Sequence, residues 1–240
     1  MNFLEQIFNE ILYQPLLNAL VLLYGFLPGH DFGIAIIVLT ILIRIALSPL
    51  MVQSIKSQKN LSNIQTKSQE IQLKHKNNKE KQAQELMELY QREKINPLGG
   101  CLPVLIQLPV LIALYRVFWK GLQPEALNLL YNFVLRPEAI NPYFLGVLDL
   151  SQPNLVLAVL AGISQYFQAK MMVPKKEKSK SKEPLDQFSK QLTQQTLYFF
   201  PAFTFFILLK LPAAVGLYWL VTILFTMIQQ YFIYPSYSKT

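Results

Sequence analysis

Apolar and polar segments alternate along the chain, and this pattern predicts an all-α, polytopic membrane protein. We assign five membrane-spanning helices, at residues 32–52, 97–119, 154–172, 196–209 and 212–233. The first is almost wholly apolar over 21 residues and can cross a hydrocarbon core of about 30 Å as a single helix. The apolar run near the C-terminus is too long for one span and is broken at residues 210–212, which divides it into two.

Residues 1–31 are predicted to form an interfacial N-terminal helix region. Between residues 3 and 14 the apolar side chains share one face of a helix, which suits a helix lying at the membrane surface. Residues 15–27 are apolar but too few for a comfortable span, and the sequence PGHD ends them. A sixth span is the alternative for this region.

Residues 53–96 are polar and predict a cytoplasmic helical hairpin with a turn at residues 76–78. Each arm carries a thin apolar stripe, made of Leu61, Ile64 and Ile71 on the first arm and Ala83, Leu86, Met87 and Tyr90 on the second. So thin a stripe implies weak docking and a mobile hairpin. The alternative is a solvated coiled-coil spacer without a function of its own.

The distribution of basic residues predicts the orientation of the chain. Residues 53–96 and 170–195 hold 16 of the 22 lysines and arginines, and none precedes the first span. The positive-inside rule therefore places the N-terminus outside and the C-terminus in the cytoplasm. Residues 120–153 then form an extracytoplasmic loop, 173–195 a cytoplasmic loop and 234–240 a cytoplasmic tail.

Composition narrows the possible functions. The chain is 52% hydrophobic and 15% charged, and its net charge of +8 comes from residues that flank the spans, so we expect no nucleic-acid partner. One cysteine excludes an internal disulfide and a multi-cysteine metal site. Both histidines lie outside the apolar runs, and the spans hold no paired aspartates. We expect no enzyme, no catalytic residues, no cofactor and no metal.

Arg44 is the one full charge inside the first span. An arginine at the centre of a membrane helix costs roughly 2.5–3.5 kcal/mol on translocon scales, so such residues usually face a protein interior or a wet cavity. The alternatives are a side chain that snorkels to the headgroups or pairs with a structural acid. Two further apolar turns follow Arg44, and the other spans contain no acid, so the residues favour a cavity.

Further polar side chains in the spans predict a hydrophilic groove around that charge, open to the cytoplasm. Its candidate residues are Arg44, Thr40, Gln107, Gln165, Gln168, Tyr218 and Trp219, with Thr222 beside them. For each glutamine and threonine the alternative is an ordinary interhelical hydrogen bond, worth about 0.6 kcal/mol on average. A groove with one fixed positive charge is suited to attracting an acidic peptide segment.

Four stretches of the sequence resemble the YidC-type membrane-protein insertases, in their short five-span form without the large periplasmic domain. They are LTILIRIALSPL at 39–50, ELMELYQREKINPLGGCLPVLIQLPVLIALY at 85–115, FQAKMM at 167–172 and GLYWLVTILFTMIQQ at 216–230. They are distributed over most of the chain, from residue 39 to residue 230, in the order that the family has them.

The resemblance implies an insertase and folding chaperone for small membrane proteins in the bacterial inner membrane, acting as a monomer, alone or with the Sec translocon. It implies that Arg44 lies in a groove open to cytoplasm and lipid but closed outside, that Thr40 lines the groove, and that Tyr218 or Trp219 meets the passing client. The hairpin would receive nascent clients.

Two features depart from parts of the family, and two other functions stay open. The tail YPSYSKT is too short for the basic ribosome-binding extension of some members, and a lipoprotein cysteine is missing from the N-terminal region. A small transporter or channel is the alternative function, although we find no internal repeat of the kind that transporters carry. An intramembrane protease is a more distant one.

Overall fold

The computed structural model describes residues 3–94, 102–120, 125–172 and 195–237, and it confirms the all-α class. The helices are α1 Phe3–Phe8, α2 Gln14–Phe26, α3 Phe32–Asn63, α4 Gln65–Lys74, α5 Lys79–Arg92, α6 Leu102–Lys120, α7 Leu155–Met172, α8 Phe200–Leu208 and α9 Ala213–Tyr237. The π turns Asn9–Tyr13 and Gln195–Phe199 lead into α2 and α8, and a 3₁₀ turn covers Ala126–Leu129. Strands β1 Tyr143–Phe144 and β2 Leu148–Asp149 pair in antiparallel fashion.

The described helices follow the apolar segments closely. α7 and α9 begin within one residue of the predicted starts, and the chain leaves helical structure at the predicted break, residues 209–212. Three helical stretches are long and apolar enough to cross a membrane, Glu5–Phe26, Phe32–Leu61 and Ala213–Ile233, while Ile106–Trp119, Leu155–Met171 and Leu197–Leu208 are shorter. The five assigned spans stay a prediction.

Some predicted features lie outside the described residues. They are the start of the second span at 97–101, residues 173–194 of the second polar loop, and the last three residues of the tail.

α3 continues well past the predicted end of the first span. It has 32 residues, about 48 Å of helix, with Pro49 in its interior. The boundary expected at residue 52 is therefore not a break in the helix, because residues 50–63 contain neither glycine nor proline and are rich in tolerable helix formers. The chain turns only at Ile64, before α4.

The N-terminal region is a single helical run that continues through Pro15. This proline lies in the first turn of α2, where a missing N–H group breaks no intrahelical hydrogen bond. One face of α2 is buried, at Leu17, Leu20, Val21 and Tyr24.

The N-terminal run lies across one end of the bundle, the end where α3 begins and α6 stops. Near its start, Phe8 packs under the guanidinium of Arg116 of α6, 5.1 Å from the ring centre. Near its finish, Tyr24 packs edge-on against Phe32, the first residue of α3. Phe8 and Tyr24 are about 24 Å apart along the helix, yet both contact the same end of the bundle. This arrangement favours the interfacial placement over a sixth span, and the placement itself stays a prediction.

The loop between α6 and α7 closes the same end of the bundle. Sequence predicted only an irregular loop, but β1 and β2 form a small hairpin there. The loop backbone also holds the start of α9, because the carbonyl oxygens of Leu150 and Gln152 accept hydrogen bonds from the amides of Ala214 and Ala213. Leu150 is fully buried.

Five helices form the main bundle. α9 packs along both α3 and α7, and α7 packs along α8, while α6 meets α3 and α9 over shorter stretches. The core is densest near the closed end, where the most buried side chains include Phe32, Ile36, Leu39, Leu114, Val117, Phe118, Val215, Leu217 and Tyr218.

α4 and α5 form a hairpin around a small apolar cluster. Ile64 and Leu89 are buried in it, with Leu61, Ile71 and Tyr90 packed around them. The stripe predicted on the second arm was wrong for Ala83 and Met87, which are exposed, and it omitted Leu89. Polar contacts add to the cluster, since Lys67 pairs with Glu93 at 2.7 Å and Glu85 contacts both His75 and Lys74.

Candidate functional site

A cavity of about 310 Å³ lies between α3, α6, α7 and α9. It is lined by Arg44, Met51, Ile55 and Gln58 of α3, Gln107, Leu108 and Leu111 of α6, Gln165 and Gln168 of α7, and Trp219, Thr222, Ile223, Thr226, Gln229 and Gln230 of α9. Five of the seven predicted groove residues therefore meet around one space, although they come from four separate helices.

Arg44 is held in place by a chain of neutral hydrogen-bonding groups. Its side chain is 6% exposed, and its Nη2 donates to the Oε1 atom of Gln107 at 2.8 Å. The Nε2 atom of Gln107 donates in turn to the hydroxyl of Tyr218. These two bonds connect α3, α6 and α9 and fix the direction of the guanidinium.

The cavity carries a positive charge that no lining carboxylate balances. Its lining residues, all within the described part of the chain, include one arginine and seven glutamine or threonine side chains besides Gln107, but no aspartate or glutamate. A buried cation without an opposite charge keeps a strong local field, because surrounding protein screens it far less than water does. The site is therefore suited to an anionic ligand.

Trp219 connects two helices on the other side of the cavity. Its Nε1 atom donates to the Oε1 atom of Gln165 at 3.2 Å, which joins α9 to α7. Gln168 lies three residues further along α7 and lines the same wall. An indole held in this way presents an apolar ring beside polar amide groups, which is a mixed surface suited to amphipathic segments.

Thr40 and Tyr218 lie behind the cavity rather than on its wall. Thr40 is 1% exposed, and its hydroxyl donates to the carbonyl oxygen of Ile36 at 2.6 Å. A threonine in a helix commonly satisfies its hydroxyl in this way. Tyr218 is equally buried and is joined to the site by the hydrogen bond that it accepts from Gln107. The sequence predicted that Thr40 lines the groove. The structure instead places Thr40 in the packed layer beyond Arg44.

Sequence reasoning missed two lining residues near the end of α9. Gln229 and Gln230 are partly and fully buried, respectively, and the Nε2 atom of Gln229 donates to the Oγ atom of Ser48 at 2.9 Å. The available signal was a pair of amides inside the apolar run TMIQQYFI.

The cavity extends in one direction along the bundle. On α3 the lining residues run from Arg44 to Gln58, about 21 Å towards the hairpin, and on α9 from Trp219 to Gln230, about 16 Å. In the other direction the space beyond Arg44 is filled by the core around Leu39, Leu114 and Tyr218. The site is thus a recess with a packed end, and the described residues contain no cluster of three metal-ligating side chains.

The lateral boundary of the recess is uneven. α6 packs against α3 and α9, and α7 packs against α8 and α9, but in the described helices α6 and α7 are not packed extensively against each other. Leu108, which lines the recess, and Ile112 on the next turn of α6 are apolar and about half exposed. The recess therefore adjoins a surface suited to lipid.

Comparison with known proteins gives a consistent set of relatives. Residues 22–240 match the sequence pattern of the 60Kd inner membrane protein family. The membrane protein insertase YidC of Geobacter metallireducens is 34% identical over 228 residues, which are 94% of this chain and 37% of that protein.

Shorter relatives are covered more completely. The proteins of the same name from Clostridium tetani and Fusobacterium nucleatum are each 36% identical, over 80% and 85% of this chain and 76% and 86% of their own lengths. The chain spans only 37–40% of the length of the two Geobacter relatives.

Proposed function

This chain belongs to the 60Kd inner membrane protein family and is a multi-pass protein of the bacterial inner membrane, and we propose on that basis that it is a membrane protein insertase. Its clients are small membrane proteins, which enter through the recess around Arg44 and fold with its help. The chain itself carries out no chemical reaction and needs no cofactor.

The buried charge of Arg44 is the observation that carries this proposal. Arg44 is 6% exposed, it hydrogen-bonds to the neutral amide of Gln107, and no acid lines its cavity in the described residues. At about 4 Å and an effective dielectric constant near 20, one ion pair with a client carboxylate gives roughly 4 kcal/mol of attraction. That is enough to draw a short acidic tail partway into the membrane while leaving the binding reversible.

The short helices complete the proposed path. The π turn Gln195–Phe199 and α8 together have 14 residues, about 21 Å of helix, against a hydrocarbon core of about 30 Å. A span this short favours local thinning of the bilayer, which shortens the distance that the client tail must still cross. Transfer of the client's apolar span into lipid supplies the remaining driving force.

The orientation follows from the basic segments, with the N-terminus outside and the C-terminus in the cytoplasm. The recess then opens towards the cytoplasm, and the hairpin of α4 and α5 is the element that meets clients first. Action beside the Sec translocon, binding of the ribosome and function as a monomer stay predictions, because none of the described contacts bears on them.

A small transporter or channel is the competing function. It requires a path that reaches both faces of the membrane, at least alternately. The packed core around Leu39, Leu114 and Tyr218 opposes such a path, because it fills the end of the recess beyond Arg44. Solute flux through the purified protein would favour this alternative.

Replacement of Arg44 tests the proposal directly. Cells depleted of their own insertase would express the wild-type chain, R44A, R44K or R44E, together with a client that has either an acidic or a neutral tail. We expect R44A and R44E to reduce insertion of the acidic client by tenfold or more, and R44K to restore most of it. Insertion is read from protease accessibility of the tail.

R116A is the matched control, because Arg116 lies outside the cavity, on Phe8 and Asn9 of the N-terminal run. It should insert both clients equally well. Full insertion of the acidic client by R44A and R44E would refute the role given to the charge.

A further inference from the structure

Two buried amide oxygens in the recess have no hydrogen-bond partner among the described residues. They are the Oε1 atoms of Gln229 and Gln230, on the last turns of α9 that line the cavity. The Gln230 side chain is 1% exposed. A buried acceptor that lacks a donor is unfavourable, and native proteins keep few of them without a use.

The hydrogen bonds of Gln229 leave one of its two polar side-chain atoms without a partner. Its Nε2 atom donates to the Oγ atom of Ser48 on α3, while its Oε1 atom accepts no hydrogen bond. Gln230 adds a second acceptor of the same kind from the adjacent position of α9. The wall of the recess therefore contains two carbonyl-type oxygens that lack a donor.

These oxygens lie close to the positive charge. Ser48 follows Arg44 by four residues, so the two share a face of α3 and are about 6 Å apart along its axis. Gln229 is bonded to Ser48, which places the acceptor pair about one helical turn from Arg44 on the side towards the hairpin. An anion site and an acceptor site thus lie side by side.

We propose that Gln229 and Gln230 form an acceptor subsite that binds backbone N–H groups of the client's unfolded tail, while Arg44 binds its carboxylate. This inference rests on the proposed insertase function and specifies how the same recess holds its client. An extended tail has unpaired N–H groups at every residue, and exposing them to a membrane interior is strongly unfavourable. The amide oxygens beside Arg44 replace the hydrogen bonds to water that the tail N–H groups lose.

The test uses the full-length protein reconstituted in liposomes and a synthetic single-span peptide with a short tail that contains aspartate. A second peptide carries N-methyl groups on the tail amides, which removes the N–H donors and keeps the charge. A third has an acetylated N-terminus, which removes the terminal ammonium group instead. Insertion is measured as protection of the tail from added protease, with protein-free liposomes as the baseline.

Q229M and Q230M remove the acceptor oxygens and keep the length of the side chain. We expect each variant to insert the unmodified and the acetylated peptide roughly three- to tenfold less than wild type does. The N-methylated peptide has no N–H group to pair, so its insertion should be the same with wild type and with either variant. Q14M is the control, because it loses a comparable bond, from Gln14 to the carbonyl of Leu129, far from the recess.

Three results would overturn the subsite. They are unchanged insertion by both variants, an equal loss for methylated and unmethylated peptides, and a loss that disappears on acetylation, which would assign the donor to the terminal ammonium group. Only variants whose purification yield and melting temperature match those of wild type are compared. One such variant is enough for the test.

A fourth peptide, with asparagine in place of aspartate, separates this inference from the function on which it rests. If wild type prefers the aspartate tail and the glutamine variants change nothing, only the subsite fails. If wild type inserts no peptide above the protein-free baseline, the insertase proposal fails as well.

Discussion

The guanidinium of Arg44 and the side-chain oxygen of Gln107 lie 2.8 Å apart, as donor and acceptor of a hydrogen bond between α3 and α6. The partner is neutral, so the bond directs the arginine without cancelling its charge. Tyr218 accepts from the other end of the same amide, which prevents Gln107 from rotating away. The recess thus keeps both a fixed geometry and a net positive charge.

Replacing Gln107 with glutamate should inactivate the recess while leaving the fold in place. The new carboxylate would form an ion pair with Arg44 inside the protein and compete with the client's acid. We expect Q107E to lower insertion of an acidic client about as much as R44A does, tenfold or more. The measurement is the client assay in insertase-depleted cells.

Q107M is the control for lost hydrogen bonding, since it removes the bond to Arg44 without adding a charge. It should retain more activity than Q107E. Equal activity of wild type and Q107E would show that the net charge of the recess does not matter.

Asp31 caps α3, and its removal should destabilise the closed end of the bundle. Its Oδ1 atom accepts from the amide of Ile34 at 2.8 Å, and its Oδ2 atom accepts from the amide of Leu145 in the β-hairpin. We expect D31A to cost about 1–2 kcal/mol, as loss of a helix cap usually does, and D31N to cost less. The apparent melting temperature in detergent measures this, and an unchanged value for D31A would contradict it.

Gly33 is required by the close approach of Phe144. A Cβ atom at residue 33 would lie 2.6 Å from the Cβ atom of Phe144, too close for any real contact. Overpacking of this kind typically costs about 1–3 kcal/mol, so G33A should lower the melting temperature. G25A is the control, because a Cβ atom at Gly25 meets nothing within 4 Å. The double variant G33A/F144G should relieve the clash, because glycine removes the Cβ atom of residue 144, and a G33A protein as stable as G25A would contradict the packing.

The tip of the hairpin should loosen in acid. Desolvation raises the pKa of Glu85, but the hydrogen bond from His75 and the charges of His75 and Lys74 outweigh it, and the pKa lies below its ordinary value of 4.5. A carboxyl with a depressed pKa stabilises the fold above pH 4.5, and its contribution is lost as the pH falls through the folded pKa.

Spin labels at residues 73 and 84, in a chain with Cys101 replaced by serine, would report the opening of the tip. The distance distribution should broaden below pH 4.5 in the otherwise wild-type chain and should already be broad at pH 6 in E85Q. A distribution that is narrow for both proteins at both pH values would refute the role of Glu85.

The helices could largely be predicted because each apolar segment is flanked by polar residues. α7 and α9 are the clearest cases, since the change in composition coincides with the start of each helix. α3 could not be bounded in this way, because a membrane boundary changes the polarity of the side chains and leaves the backbone helical.

The site residues could be predicted where the polar group of a side chain cannot find a hydrogen-bond partner within its own helix. Arg44 and Gln107 have long polar groups that must find partners on other helices, and the structure brings them together. Thr40 has a hydroxyl that its own helix satisfies, so its polarity carried no information about the recess. Gln229 and Gln230 also have long polar groups that need partners on other helices. They lie at the end of a predicted span, where polar residues are common, so they did not stand out.

The proline inside α3 has a mechanical consequence. Pro49 donates no hydrogen bond to the carbonyl of Ile45, and its ring crowds that turn, so resistance to bending is lowest there. This weak point separates the half of the rod that holds Arg44 from the half that carries the hairpin. A swing of the half that carries the hairpin would pivot at Pro49 and leave the guanidinium where it is, while Met51, Ile55 and Gln58 would move and change the width of the recess.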